Sequence, residues 1–406
     1  MRNALSSSAW ALALVMACAD QGPQNTSAGV EGESWDRPDD NSKLQCLTST
    51  PSGQIQQTLF LGTSSFAASA DVAVDIDDNV LYASHGLTKL TDSGTVLFHV
   101  PFGDLVATDA AGNIYLAGMF NVATDFGLGM LQPHGDGHAF LVKLTSSGRP
   151  MFARELQPCG TQSVTSLAVG ANGRIAISGV GMGTRILDDR GELLFTSDLV
   201  GDVAFDSQGN LLVTGAIDTD MFIAKLDANA RLVFDLRIGD RSNATSGTQV
   251  GTHITVDASD NIIVTGTATK EGVNLFGQDW VSGTTPTGDT LALGFILKLT
   301  SSGSLVWTHV YDVERDGGVA VDPFGNVIYS AMDLAYTPPY LLAVTTKLAA
   351  DDGRHLWARF APATSYGTAL GVASDSCGSA FWATNVLLSL SDPNAAPAAY
   401  LVKLSL

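Results

Sequence analysis

GDVAFDSQGNLLVTGAIDTDMFIAKLDANARLVFDL, residues Gly201 to Leu236, decides the fold of this chain. It reads in four beats. A short apolar run, Val203-Ala204-Phe205, meets an Asp-x-x-Gly-Asn turn formed by Asp206, Gly209 and Asn210. A second run, Leu211 to Gly215, leads to a third, Phe222 to Leu226, which ends in Lys-Leu. A polar turn then opens a fourth run with a central aromatic, Leu232-Val233-Phe234. Four short strands with turn signals between them, recurring along a chain, are the signature of propeller blades.

The first turn recurs as VDIDDN (Val74 to Asn79), TDAAGN (Thr108 to Asn113), VGANGR (Val169 to Arg174), FDSQGN (Phe205 to Asn210), VDASDN (Val256 to Asn261), VDPFGN (Val321 to Asn326) and SDSCGS (Ser374 to Ser379). An Asp opening such a turn accepts backbone N–H bonds, and Gly or Asn supplies the left-handed position. Calcium is the alternative use of these carboxylates. Each turn brings one or two of them, where a calcium site gathers six to eight oxygens. Two residues before the turn stands Ala73, Ala107, Ala168, Ala204, Thr255, Ala320 or Ala373, a small residue suited to an innermost strand near a central axis. The third strand ends in KLTDSG from Lys89 and in KLTSSG from Lys143 and Lys298, and the fourth carries Phe98, Phe152, Phe195, Phe234, Trp307 or Trp357. One large aromatic per repeat at a fixed register is a wedge between sheets.

The pattern VDxxGNxYxxG, the Asp125-Phe126-Gly127 segment and the xAFLVKLxxSG run from Ala139 to Gly148 resemble the bacterial beta-propeller repeat family called SBBP. That resemblance covers nearly all of the chain after its leader. It implies an extracytoplasmic repeat protein and no shared activity. The seventh copy stops after Tyr400 to Leu404, one strand short, while Gly53 to Leu61 has the form of a fourth strand. The expected fold is therefore all-β, a seven-bladed propeller over residues 45–406, closed by an N-terminal strand in the last blade.

Composition agrees with many short strands and tight turns. The 406 residues include 42 Gly and are 15% charged. A net charge of -20 argues against nucleic acid and anionic lipid as partners through bulk electrostatics. Residues 1–17 read as a leader: Arg2, then an apolar run from Ala9 to Ala17 too short to span a bilayer. Val15-Met16-Ala17-Cys18 resembles a lipobox, which implies a lipid on Cys18 and a periplasmic or cell-surface address. Met16 is uncommon in that motif, so plain secretion stays open. Residues 18–44, rich in Gly, Ser, Asn, Asp and Pro, read as a flexible tether.

Candidate chemistry is sparse. His134, Asp136 and His138 are a local cluster that could offer three metal ligands, although the intervening glycines suit a turn. Four residues before each turn Asp stand Asp71, Leu105, Ser166, Asp202, His253, Gly318 and Gly371. Asp71, Asp202 and His253, with Asp104 beside them, are expected to meet at one mouth of the channel. There they could serve acid–base work or cation binding, or simply be polar strand ends. No nucleophile elbow, P-loop, dinucleotide fingerprint or HExxH occurs, and no cofactor is expected. Setting Cys18 aside, Cys46, Cys159 and Cys377 remain, an odd number. The strand bookkeeping places Cys46 and Cys377 on one face of one blade, so they are the expected disulfide, with Cys159 free. The expected role is a lipid-anchored binding or scaffolding module for a protein or glycan partner. The alternatives are a propeller lyase or glycan hydrolase, and a purely structural part of the envelope.

Overall fold

The computed structural model describes residues 52–63, 70–134, 138–156, 163–239, 248–269, 273–280, 292–313, 315–334, 341–361, 367–386 and 398–406. Every regular element among them is a β-strand, and the strands form seven four-stranded antiparallel sheets with two small hairpins. The chain is a seven-bladed β-propeller. The blades cover 71–100, 105–156, 163–197, 202–238, 249–313, 315–360 and 367–404, and we number them 1 to 7 in that order. The outermost strand of blade 7 is Ile55–Thr63, paired antiparallel with Ala398–Leu404 from Ile55↔Leu404 to Thr63↔Ala398. The first strand of each blade contacts the first strand of the next, and Gly367–Ser374 of blade 7 contacts Asp71–Val74 of blade 1. The ring is closed as the sequence predicts. The expected boundary at residue 45 lies outside the described residues.

Burial follows strand position. In blade 4 the second strand, Leu211–Ile217, is buried through Gly215, and the third, Asp220–Leu226, is buried from Met221 on. Both lie between neighbouring blades, which is why they read as unbroken apolar runs. The outermost strand, Leu232–Ile238, alternates exposed and half-buried. Val203 and Ile254, which flank the small residues of the innermost strands, are buried and fill the seams between blades.

Three contacts repeat from blade to blade. The fourth-strand aromatic lies over the glycine that ends the next blade's third-strand turn: Phe98 over Gly148, Phe152 over Gly191, Phe234 over Gly303 and Trp307 over Gly353. These glycines hold φ between +71° and +87°, and a Cβ would strike the ring at Gly148, Gly191 and Gly353. Trp357 covers Gly53, so the N-terminal strand takes the same seat in blade 7.

The second contact is the Asp–Lys pair. In blade 4, Asp206 Oδ1 accepts the backbone N–H of Gln208 and Asn210, and Oδ2 accepts the Asn210 amide and Lys225 Nζ at 2.9 Å. The turn and one lysine fill the carboxylate, so the turn role accounts for it without calcium. Equivalent pairs are Asp75–Lys89, Asp257–Lys298 and Asp322–Lys347, at 2.6, 2.9 and 2.7 Å. The same lysine donates to a carbonyl of another blade: Lys89 to Ser146, Lys225 to Ser301, Lys298 to Ala350 and Lys347 to Gly378. Each is a bolt through one blade into the next.

In the third contact, Asp78 and Asp260 replace the turn glycine and sit at φ 61° and 60°. Their carboxylates accept both the N–H and the hydroxyl of Ser376 and Ser207 in the preceding blade. The first of these clasps joins blade 7 to blade 1.

Candidate binding face

The connections divide the molecule into two unlike faces. Every first-to-second-strand turn has five residues (75–79, 109–113, 170–174, 206–210, 257–261, 322–326 and 375–379). The third-to-fourth turns have five as well, except 349–354 with six. We call this the turn face. On the opposite face, second-to-third connections run from two residues (181–182 and 218–219) to the stretches 121–137 and 269–291. Fourth-to-first connections there run from the single residue 314 to the stretch 239–248. Apart from that one extra residue, all variation in length falls on this loop face. A rigid ring with one uniform face and one variable face is how loops acquire separate roles on a common scaffold.

Asp71 and Asp202 stand at the loop-face start of innermost strands, and His253 holds the same register within the longer strand Gln249–Val256. Asp71 Oδ1 accepts the Val72 N–H and Oδ2 accepts the Val106 N–H of blade 2, both at 2.9 Å. Ser166 Oγ accepts the Val203 N–H of blade 4 at 3.1 Å and donates to Asp202 Oδ1 at 2.6 Å. Asp202 Oδ2 accepts the Ile254 N–H of blade 5 at 2.7 Å, and His253 Nδ1 lies 3.9 Å from it. The rule is uniform in blades 1, 3 and 4: the side chain at this register holds the N–H one residue beyond the same register in the next blade. In blade 7 the register is Gly371, where a Cβ would meet the Val72 nitrogen at 2.9 Å. The expected acid–base constellation is thus a set of interblade staples.

Burial raises the Asp71 carboxyl to about 6, against the two N–H bonds that lower it; Asp202 raises it further and His253 lowers it. Asp202 is raised by burial against the opposing pull of His253 and its hydrogen bonds. Its side chain is 21% exposed. Asp104 stands apart: its Oδ1 accepts the His85 N–H at 3.2 Å and lies 3.5 Å from His85 Nδ1.

His134 and His138 do come together, on a residue the sequence reading missed. His134 Nδ1 lies 2.6 Å from Glu155 Oε2, and His138 Nδ1 lies 2.7 Å from Oε1 without hydrogen-bond alignment. Glu155 stands on the fourth strand of the same blade, Pro150–Leu156, and pairs there with Phe140, a contact that spacing from His134 does not display. Asp136 lies outside the described residues. Among the described residues no group of three or more His, Cys, Asp or Glu is arranged to hold a metal ion.

Cys377 is disulfide-bonded. Cys18, Cys46 and Cys159 lie outside the described residues, as does the 18–44 stretch. Where blade 3 meets blade 4, Phe195 faces Ala230 (φ 59°) instead of a glycine, and an open cleft of about 220 Å³ remains. It is a shallow, open depression lined by both residues, with almost no enclosed room for a ligand.

No family model and no curated protein matches the chain. Among solved structures, a chain of the "Crystal Structure of Mitotic Checkpoint Complex" is similar at TM-score 0.54 and 12% identity, over 95% of this chain and 99% of that one. The Neurospora crassa Pan2 WD40 domain gives TM-score 0.49 and 10% identity, over 88% and 98%. At such identity the first likeness shows the propeller fold and nothing narrower.

Proposed function

We propose that this chain is a binding or scaffolding module that works through its loop face, held outside the cytoplasm by a lipid on Cys18. The observation that carries it is the contrast between faces: turns fixed at five or six residues on one, connections from a single residue to the 269–291 stretch on the other. Fold stability does not require such variation, since blade 4 closes its second-to-third connection with residues 218–219 alone. A catalytic use of Asp71 and Asp202 is less well supported, because their oxygens already hold neighbouring N–H groups. The described chain starts at Ser52, bonded to Leu406 at the turn-face end of blade 7.

Photocrosslinkers placed in cells at Thr219 on the loop face and Ser147 on the turn face test this reading. The expected result is a partner captured from Thr219 and none from Ser147; capture from Ser147 alone would reverse the assignment. Membrane fractionation of the Cys18→Ser variant checks the anchor separately. Release into the soluble fraction is expected, because an acyl chain is the strongly membrane-seeking group in this reading.

A further inference from the structure

The loop face exposes large apolar side chains on four consecutive blades. Val122, Leu128 and Met130 of blade 2, Val180 of blade 3, Ile217 of blade 4 and Phe276 of blade 5 are between 37% and 65% exposed. Two of these groups stand on hairpins rooted in the core. In blade 2, Phe126 is buried against Phe102, Phe120 and Phe140, while Asp125 Oδ1 accepts the Gly127 and Gly129 N–H groups. In blade 5, Val273–Leu275 pairs with Gln278–Trp280, and Val273 and Leu275 are buried in the core. Asn274 bonds Asp279 and the Gly277 N–H and so fixes the hairpin tip.

Phe276 is the telling residue. It and Gly277 hold φ of +50° and +89°, so both central residues of the tip are left-handed. Such a turn takes Asn, Asp or Gly at its first central position, and a bulky side chain there is disfavoured. The ring stays 41% exposed at the hairpin tip. An unfavourable conformation that displays an aromatic on a rigid hairpin points to recognition. Charge supplies the partner's chemistry. By sequence, Arg241 and Lys270 are the only Arg or Lys in the loop-face connections, which also carry Asp104, Asp125, Asp198, Asp218 and Asp279, and the whole chain has net charge -20.

We propose that the loop face of blades 2 to 5 docks a basic polypeptide segment carrying apolar side chains, with Phe276 as its principal anchor. The inference rests on the loop-face reading above and narrows it to one chemistry. A basic segment gains from the acidic field, and its apolar side chains cover the exposed tips.

The test uses the full chain with Cys18→Ser, so that no detergent is needed, and fluorescence anisotropy with two short peptides, one Lys–Leu and one Glu–Leu. The Lys–Leu peptide is expected to bind, to weaken at raised salt and to ignore its Glu–Leu counterpart as competitor. Phe276→Asn suits the turn, so it is expected to keep or raise the melting temperature while weakening binding by about tenfold. Met130→Ser on the second hairpin is expected to weaken binding without changing the fold. Unchanged binding in both variants would overturn the docking surface. Equal binding of the Glu–Leu peptide, lost with Phe276→Asn, would overturn the basic partner and leave the loop-face reading standing. Binding of neither peptide also overturns the basic segment, while the Thr219 crosslink still reads the face on its own.

Discussion

At the start of blade 1, burial lifts the Asp71 carboxyl to about 6 from an ordinary 3.8. The folded state therefore binds more protons than the unfolded one between about pH 4 and 6, and this group's contribution to stability falls as pH rises through that window. His309 runs the other way. Burial and then the His355 ring, 4.7 Å away across the blade 5–6 seam, lower it from 6.5 to about 4. There the folded state binds fewer protons, and stability rises with pH from about 4 to 6.5. The two slopes oppose each other in one window. Urea denaturation in that window should show the stability of Asp71→Asn rising more steeply with pH than the parent's, while that of His309→Phe should rise less or fall. Parallel profiles in all three proteins would mean that neither group titrates as the structure implies.

Within a blade, the Asp-x-x-Gly-Asn and Lys-Leu signatures are two ends of one device. The sequence marks both plainly and even aligns them, yet it presents the lysine only as the sign of a third strand. Its role is hidden because the second bond, Lys225 to Ser301, spans 76 residues of chain. The aromatic wedge was legible as a register, and its seat on the next blade's glycine was not, for the same reason. Asp206 shows what the device does: burial pushes its carboxyl up, but the Asn210 and Lys225 hydrogen bonds outweigh this and hold it below the usual range. That stabilisation is present above an ordinary carboxylate pKa and is lost on acidification through the lowered value. Lys225→Met should leave a buried carboxylate unpaired and cost about 3–5 kcal/mol. Adding Asp206→Asn should recover part of the loss, because two neutral groups need no ion pair. Equal loss in the single and double variants would show that the lysine acts through packing alone.

For the ring as a whole, closure depends on the seam where the two ends of the chain meet. The sequence foretold that seam, because the run Gly53 to Leu61 has the form of a fourth strand and the seventh copy lacks one. It could not foretell the Asp78–Ser376 clasp or the role of Glu155, which need neighbours far apart in sequence. Cys377 sits in the turn that this clasp holds, and it is disulfide-bonded. Its neighbour Gly378 lies against Leu406, and Leu406 accepts the Ser52 N–H. Cys46 is six residues before Ser52, a reach of up to about 20 Å, enough to arrive at that turn. Cys159 follows Leu156 by three residues, in a loop-face connection of blade 2. Cys46 is therefore the expected partner of Cys377. Non-reducing peptide mapping should recover one species joining the two, and reduction should lower stability by about 2–4 kcal/mol with little change at neutral pH in the blade 4 core. Recovery of a Cys159–Cys377 species would instead require the loop and turn faces to meet, which the blade topology does not allow without opening the ring.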